Sequence, residues 1–505
     1  MNEAGGLHGK WHSGHKNRAD DCQLYRKQIT QPEFETFYLP FGGKLRSDNR
    51  WVLMGKLMPW DKVEQKYAMQ FDDCQIGAPA KSARVALGSL MIKERLKTTD
   101  EETVEQIKEN PYLQFFLGYE YYSDEQPFDP SMMVYFRKRF TLEDLMHFQE
   151  ELKRRLDAIE KKDNEEKGSG GGGGNQGKLL VDATVTPADI RFPTDMSLLN
   201  EAREKTEAVI DRLHVPLRGE QEKVRTYRQK ARKDYLEFAK AKKKNRRAIR
   251  RAIGKQLRYV RRNLRNIKEL STKVGLSELS RRQYKDLLVI HELYRQQELM
   301  YREKTHRVEN RIVSISQPHV RPIVRGKAGA EVEFGAKISV SCVEGMCFVD
   351  RLSWDAYNEG GDLIGQIEKY RTRFGFYPES VHGDKIYRTR ENREFCRTKG
   401  IRITGPALGR PKEKWESERA RREERRRRRK DEVDRIPIEG QFGVSKRKYS
   451  LDCVKAKLAD TSDTVIGVVM LVMGLEHLLR ALFFPLLIVI RMALSCSEKR
   501  DFAAA

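Results

Sequence analysis

Three carboxylates, Asp182, Asp384 and Glu439, stand where a metal-dependent phosphodiester chemistry needs them. Asp182 ends the apolar run of KLLVDATVTP, and Asp384 ends that of YPESVHGDKIY. Glu439 lies in DRIPIEGQFGVSKRKY, with Arg435 four residues before it and Lys446 seven after. Two divalent ions about 3.5–4 Å apart can activate an attacking oxygen and stabilise a leaving one. Mg²⁺ takes a few carboxylates and completes its shell with water and phosphate oxygens. Such a site needs no covalent nucleophile, and the chain shows no convincing Ser–His–Asp or Cys–His arrangement. Taken singly, each acid reads as a cap or an ion-pair partner. Strand order and nearby basic helices together make them a metal site.

The elements that must position these acids follow from the pattern of the chain. Its 505 residues suffice for two to four domains. Residues 1–33 are polar, and residues 34–162 have a helical pattern. There Thr99 with Glu102, and Thr141 with Asp144, fit capping boxes, while Pro111 and Pro130 mark helix starts. This is a compact helical domain, and Arg137 and Arg139 in its FRKRF segment are candidate phosphate contacts; a solvated helix face is the alternative. Residues 163–177 contain GSGGGGG and form a flexible linker. Gly172, Gly177 and Lys178 mimic a phosphate-binding loop. Leu179 follows where Ser or Thr is required, and the order of elements is reversed, so the match is rejected.

A strand over Lys178–Val185 carries Asp182. Residues 198–310 then form a charged helical insertion. Within it Ile249, Ile253, Leu257, Val260, Leu264 and Ile267 make a narrow apolar seam, predicting a hairpin with a second helix around Tyr284–Arg307. Strand signals return in RIVSISQ, EVEFGAKISVSC and MCFVDRLSW, the last two joined at Gly345 as a hairpin. A helix over Asp362–Phe374, the strand before Asp384, a helix over Arg390–Lys399 stopped by Gly400, and a short strand IRIT complete the order. The class is α/β, a mixed sheet with a long helical insertion, preceded by an all-α domain. Residues 178–197 and 311–494 make its catalytic part, and 495–505 a tail.

Charge narrows the partners. The net charge is +24, and the isoelectric point about 9.6. Between Lys223 and Lys268 lie 20 Lys or Arg against Asp234 and Glu237, a net of +18 in 46 residues. A surplus this concentrated implies a polyanion. Arg246, Arg247, Arg250 and Arg251 are candidate DNA contacts there. A solvated, dimerising arm is the bland alternative, but its charge would repel a second copy. The run ERARREERRRRRK (418–430) is a DNA clamp or a charged surface helix.

Seven scattered cysteines have no zinc spacing and suit free thiols in a reducing cytosol. The N-terminus has no signal-peptide pattern. The apolar stretch Val465–Leu494 is split by Glu476, His477 and Arg480 and interrupted by Pro485. Each run falls short of the roughly 20 residues of a span, predicting a buried terminal helix and no membrane.

The order and motifs resemble bacterial insertion-sequence transposases of the DDE type, in the insertion-sequence-four and -five superfamily, with a ribonuclease-H-like catalytic domain. The superfamily signature Y-x2-R-x3-E-x6-K is met by Arg435, Glu439 and Lys446. Its Tyr position is Glu432, so the motif is incomplete. The segments FGGKLRSDNRWV, ENPYLQFF and SMMVYFRKRF also resemble the helical domain preceding catalysis in these enzymes. The resemblance implies that Asp182, Asp384 and Glu439 hold two Mg²⁺ or Mn²⁺ ions, and that Arg435 and Lys446 contact DNA phosphate. The enzyme would bind terminal inverted repeats as a dimer or larger assembly. Activated water would cut the element end, and the 3′-hydroxyl would join target DNA, placing the protein in the cytoplasm at the nucleoid. His382, beside the second acid, reads as a supporting group of the site or as a solvent-exposed or strand-packed side chain. A nuclease on the same fold without strand transfer, or a transposase-derived DNA-binding protein, stays open.

Overall fold

The computed structural model describes residues 37–39, 43–71, 79–165, 174–327, 330–405 and 417–501. The predicted polar tail 1–33 and the glycines of the linker up to residue 173 lie outside the described residues. The protein is a mixed α/β structure with one curled mixed sheet and many helices. It divides into two compact units, Met1–Gly170 with Gly467–Ala505, and Gly171–Ile466.

Among the described residues of the first unit, seven helices precede the sheet: α1 (Arg50–Leu57), α2 (Trp60–Ala68), α3 (Ala83–Leu96), α4 (Asp100–Glu109), α5 (Pro111–Phe116), α6 (Met132–Lys138) and α7 (Leu142–Glu165). Several of their starts follow from side-chain caps. Thr141 and Asp144 bond reciprocally, Thr141 N–H to the carboxylate at 3.2 Å and Asp144 N–H to Oγ1 at 3.1 Å. Thr99 caps α4 through the Glu102 amide at 3.2 Å, while the Glu102 carboxylate accepts from Gln106 instead of closing the box. Pro111 sits at the first turn of α5, where no amide hydrogen is needed. Buried Arg84 donates to the Phe116 and Phe115 carbonyls at 2.8 and 2.9 Å, at the end of α5, where Phe115 also accepts from the Gly118 amide.

Arg137 turns inward and pairs with Asp100 at 2.6 Å, its side chain only 10% exposed. Lys93 joins the same carboxylate at 2.7 Å. These partners hold the Asp100 carboxyl below its usual range, against the opposing pull of burial. Replacing Asp100 by Ala strands both cations. We expect a loss of about 3 kcal/mol, read from urea unfolding of the first unit.

The last helix, α15 (Ala459–Asp501), runs unbroken through Glu476 and Arg480, where the sequence suggests two runs about a polar turn. The polar groups are satisfied without a break: Glu476 pairs with Arg95 of α3, and Arg480 Nε donates to the Glu476 carbonyl at 3.2 Å. Gly467 permits close approach to α7, since a Cβ there would lie 2.7 Å from Leu145. Residues Ala459–Leu482 are long and apolar enough to cross a membrane, but 72% of that apolar window is buried in protein.

The second unit is built on six strands: β1 (Lys178–Pro187), β2 (Arg321–Lys327), β3 (Ala330–Val343), β4 (Met346–Ser353), β5 (Ser380–His382) and β6 (Arg402–Ile403). Strand β1 pairs antiparallel with β3, Leu180 opposite Cys342 and Pro187 opposite Gly335. On its other side it pairs parallel with β5, which pairs parallel with β6. Strands β2 and β4 share the far edge of β3. The β3–β4 hairpin turns on Glu344 and Gly345, with φ of 50° and 82°, the positive pair that a two-residue turn requires. The expected strand in RIVSISQ is irregular; Ile312, Val313 and Ile315 are buried there, and the ladder begins at Arg321. Those apolar residues pack without pairing, which a period-two pattern alone cannot distinguish.

Helices α12 (Leu363–Phe374) and α13 (Arg390–Thr398) flank the parallel part of the sheet. Leu363, Ile367 and Tyr370 of α12 pack with Leu179, Val181 and Val381 of the strands and with Cys396 of α13. Between β1 and β2 lies a helical insertion of α8 (Asp195–Leu213), α9 (Arg228–Lys240), α10 (Arg246–Val274) and α11 (Arg281–Glu303). It has its own core, in which Leu257, Val260, Leu264 and Ile267 of α10 meet Leu199, Val209 and Ile210 of α8 and Ile290 and Leu293 of α11. The apolar seam thus serves two partner helices rather than one. Helix α14 (Glu418–Lys448) then returns to the sheet.

Candidate active site

The three acids reach one place from three elements. Asp182 lies in the middle of β1, and its Oδ1 accepts from the Ala183 amide at 2.8 Å. Asp384 follows β5 and caps a short 3₁₀ turn, its Oδ1 accepting from the Lys385 amide at 2.9 Å. Gly383 before it must stay small, because a Cβ would fall 2.8 Å from Val181 and 3.0 Å from Tyr387. The parallel pairing of Leu180 with His382 sets β1 and β5 in register, two residues short of each acid.

Glu439 comes from α14. At 100° per residue, Arg435, Glu439, Phe442 and Lys446 fall on one narrow helix face. That face borders a cavity of about 1000 Å³, also lined by Asp182, Asp384, Lys337, Tyr357 and Glu359. The signature spacing is therefore a statement about one side of a helix. Two ion pairs tie α14 to the sheet, Lys178 to Asp434 at 2.7 Å and Arg402 to Asp431 at 2.9 Å.

Arg435 bridges two of the acids. Its Nη2 lies 2.8 Å from Glu439 Oε1, and its Nη1 lies 4.0 Å from Asp384 Oδ1. Burial raises Asp182 to about 6; the charges of Asp384 and Glu439 push the same way, opposed by the Ala183 amide and Arg435. Asp182, Asp384 and Glu439 line the cavity beside Arg435 and Lys446, and carboxylates are the ligands a hard divalent cation takes.

A second acidic group lies nearby. His382, Asp431 and Asp434 bring one ligand atom each within 4.8 Å of one another. His382 is fully buried, shares a 3.0 Å hydrogen bond with Ser380 Oγ, and burial lowers its pKa. Its two acids are already matched by Arg402 and Lys178. A dication there would face these two fixed cations. His382 is buried in β5 and does not line the cavity.

The other sequence candidates separate. Lys446 lines the cavity with Arg435. Arg137 is committed to Asp100, and Arg139 stacks 4.3 Å over Phe71. Arg246, Arg247 and Arg251 are exposed on α10, whereas Arg250 donates to the Tyr301 carbonyl at 2.7 Å and stacks on that ring. Lys337, Tyr357 and Glu359 were not legible as cavity residues, because they come from separate segments without a motif. Lys337 pairs with Glu359 and donates to the Tyr357 carbonyl at 2.8 Å.

Asp182 predicts a pH dependence. Its folded pKa lies above the usual carboxylate value, so the folded protein binds the extra proton and ionising it costs stability as pH rises from about 4 to 6. A cation held by Asp182 would run the other way, because a proton and a dication compete for the carboxylate. Mn²⁺ affinity should be flat above about pH 6 and fall up to about tenfold per unit below it. Calorimetric titration between pH 5 and 8 checks this, and Asp182→Asn should flatten the profile.

Two family descriptions match separate parts of the chain. A family described as "Transposase DDE domain" matches residues 381–476, a span holding Asp384, Arg435, Glu439 and Lys446. A second, "Transposase domain (DUF772)", matches residues 40–139. A Rhizobium meliloti protein, "Uncharacterized protein ORF8 in nfe locus", is 32% identical over 151 residues, 30% of this chain and 68% of that protein. No solved structure matches the chain. With two transposase domains in order along the sequence, the chain belongs to the insertion-sequence DDE transposase family.

Proposed function

We propose that the cavity is the DNA-cleavage centre of a transposase that binds the ends of its own element and joins them to target DNA. The observation that carries this is the convergence of Asp182, Asp384 and Glu439, from a strand, the turn after β5 and a helix, beside Arg435 and Lys446. The strand order β4-β3-β1-β5-β6, antiparallel and then parallel, supports a ribonuclease-H-like reading of 178–197 and 311–494. Residues 34–162 would serve as a helical DNA-binding domain and 198–310 as an inserted arm.

Asp182, Asp384 and Glu439 would hold two Mg²⁺ or Mn²⁺ ions, which when bound supply an activated water or hydroxyl and neutralise the leaving oxygen. The chain's own residues orient the reaction. The Ala183 and Lys385 amides fix the two aspartates. Glu439 aims the Arg435 fork, whose planar donors suit a phosphate. Lys446, two turns further on, would contact the next phosphate along the strand. Burial around Asp182 limits bulk water and strengthens these charges. A DNA substrate places the protein at the nucleoid, as a dimer or larger assembly on paired element ends.

The test is a labelled duplex of the element end, incubated with Mg²⁺ and a target plasmid. End cutting followed by a joined product supports the proposal. Cutting that never yields joining would make the protein a plain nuclease. Salt-sensitive binding without cutting would make it a derived DNA-binding protein.

A further inference from the structure

The charge of the insertion is sorted by the fold. Many of its cations are spent internally: Arg228 and Lys223 on Asp211, Lys255 on Asp234, Arg261 on Glu298 and Tyr294, and Arg262 over Tyr227 and Tyr259. Arg250 is held by Tyr301. Arg247, Arg251 and Arg258 are exposed, and among the described residues make no hydrogen bond or ion pair. Arg265 has only a 3.9 Å contact with Glu269, its side chain 70% exposed.

These four are one feature. At 100° per residue, positions 247, 251, 258 and 265 fall within about 40° of one another on α10. They lie opposite the face that buries Leu257, Val260, Leu264 and Ile267 in the insertion core. At about 1.5 Å per residue the ridge is roughly 27 Å long, comparable with most of one turn of a DNA duplex. None of the four lines the carboxylate cavity.

We propose that Arg247, Arg251, Arg258 and Arg265 form a phosphate-tracking ridge that grips the backbone of double-stranded DNA outside the cleavage cavity. The proposal rests on the DNA-cleavage reading above. Arginines without interleaved apolar or amide side chains neutralise phosphates and carry no base recognition. A rigid helix keeps them in line, so the binding energy is not lost to ordering a loose arm. A membrane surface fits less well, because an interfacial helix must offer an apolar face, and that of α10 is buried in its own bundle.

The test is fluorescence anisotropy on a 30-base-pair duplex over a salt series. It compares wild type with R247Q/R251Q/R258Q/R265Q and with R281Q/R282Q/R302Q/R307Q, which removes equal charge from other exposed sites of the same insertion. Each phosphate contact contributes about 0.9 to the slope of log affinity against log salt. The ridge variant should lose about 3 to 4 of that slope and the control less than about 1. The ridge variant should still cut at saturating DNA. Equal losses in both variants, or no loss in the ridge variant, overturn the ridge while the cleavage reading stands. Wild type that neither binds nor cuts duplex overturns both. Ridge-dependent binding to phosphatidylserine vesicles, with DNA binding unchanged, moves the surface to a membrane role.

Discussion

Asp384→Asn should abolish DNA cutting while leaving DNA binding within about twofold. The substitution keeps the shape of the side chain and its hydrogen bond to the Lys385 amide, so the turn after β5 survives. It removes one of three charges that make the cavity attractive to a dication, and it weakens the hold on Arg435. A loss of at least about a thousandfold in cutting rate, about 4 kcal/mol of barrier, is expected. Single-turnover cleavage beside anisotropy on the same duplex separates the two effects. Residual cutting within tenfold of wild type would remove Asp384 from the chemistry.

The second large effect concerns the sheet that carries the acids. Gly335 of β3 faces Pro187 of β1 and Arg321 of β2, at the point where three strands meet. A Cβ there would lie 2.1 Å from the Thr186 carbonyl oxygen and 2.8 Å from the Pro187 Cα. Those are backbone atoms, so no rotamer change relieves the clash, and β1 must shift. Gly335→Val should cost about 3 kcal/mol or more. Because β1 also carries Asp182, Mn²⁺ binding should weaken along with stability. Urea unfolding and calorimetry check both; a variant as stable as wild type would mean that β1 and β3 can separate without loss.

Much of the site was legible because its signals are local. The spacing of Arg435, Glu439 and Lys446 fixes one helix face wherever the helix docks, and the apolar runs before Asp182 and Asp384 mark strands whatever their partners. The hairpin at Gly345 was legible for the same reason. What escaped depends on tertiary context. Arg137 in FRKRF looks like a free cation until Asp100 is brought beside it. The run around Ile312 has strand composition but finds core rather than a ladder. The polar residues within α15 look like a break until Arg95 satisfies Glu476. The far wall of the cavity, with Lys337 and Glu359, assembles only when β3 and the segment after β4 converge. In the insertion, composition located the charge, but only the fold shows which arginines are spent on Asp, Glu and Tyr partners.

The central claim is that Asp182, Asp384 and Glu439 together hold the catalytic cations. Crystals grown with Mn²⁺ and an element-end duplex, measured at the manganese edge, test it most directly. The account predicts anomalous peaks within coordination distance of all three carboxylates, with Arg435 turned to the phosphate. Peaks at His382, Asp431 and Asp434 instead, or an ordered DNA end with no peak between the three acids, would contradict it.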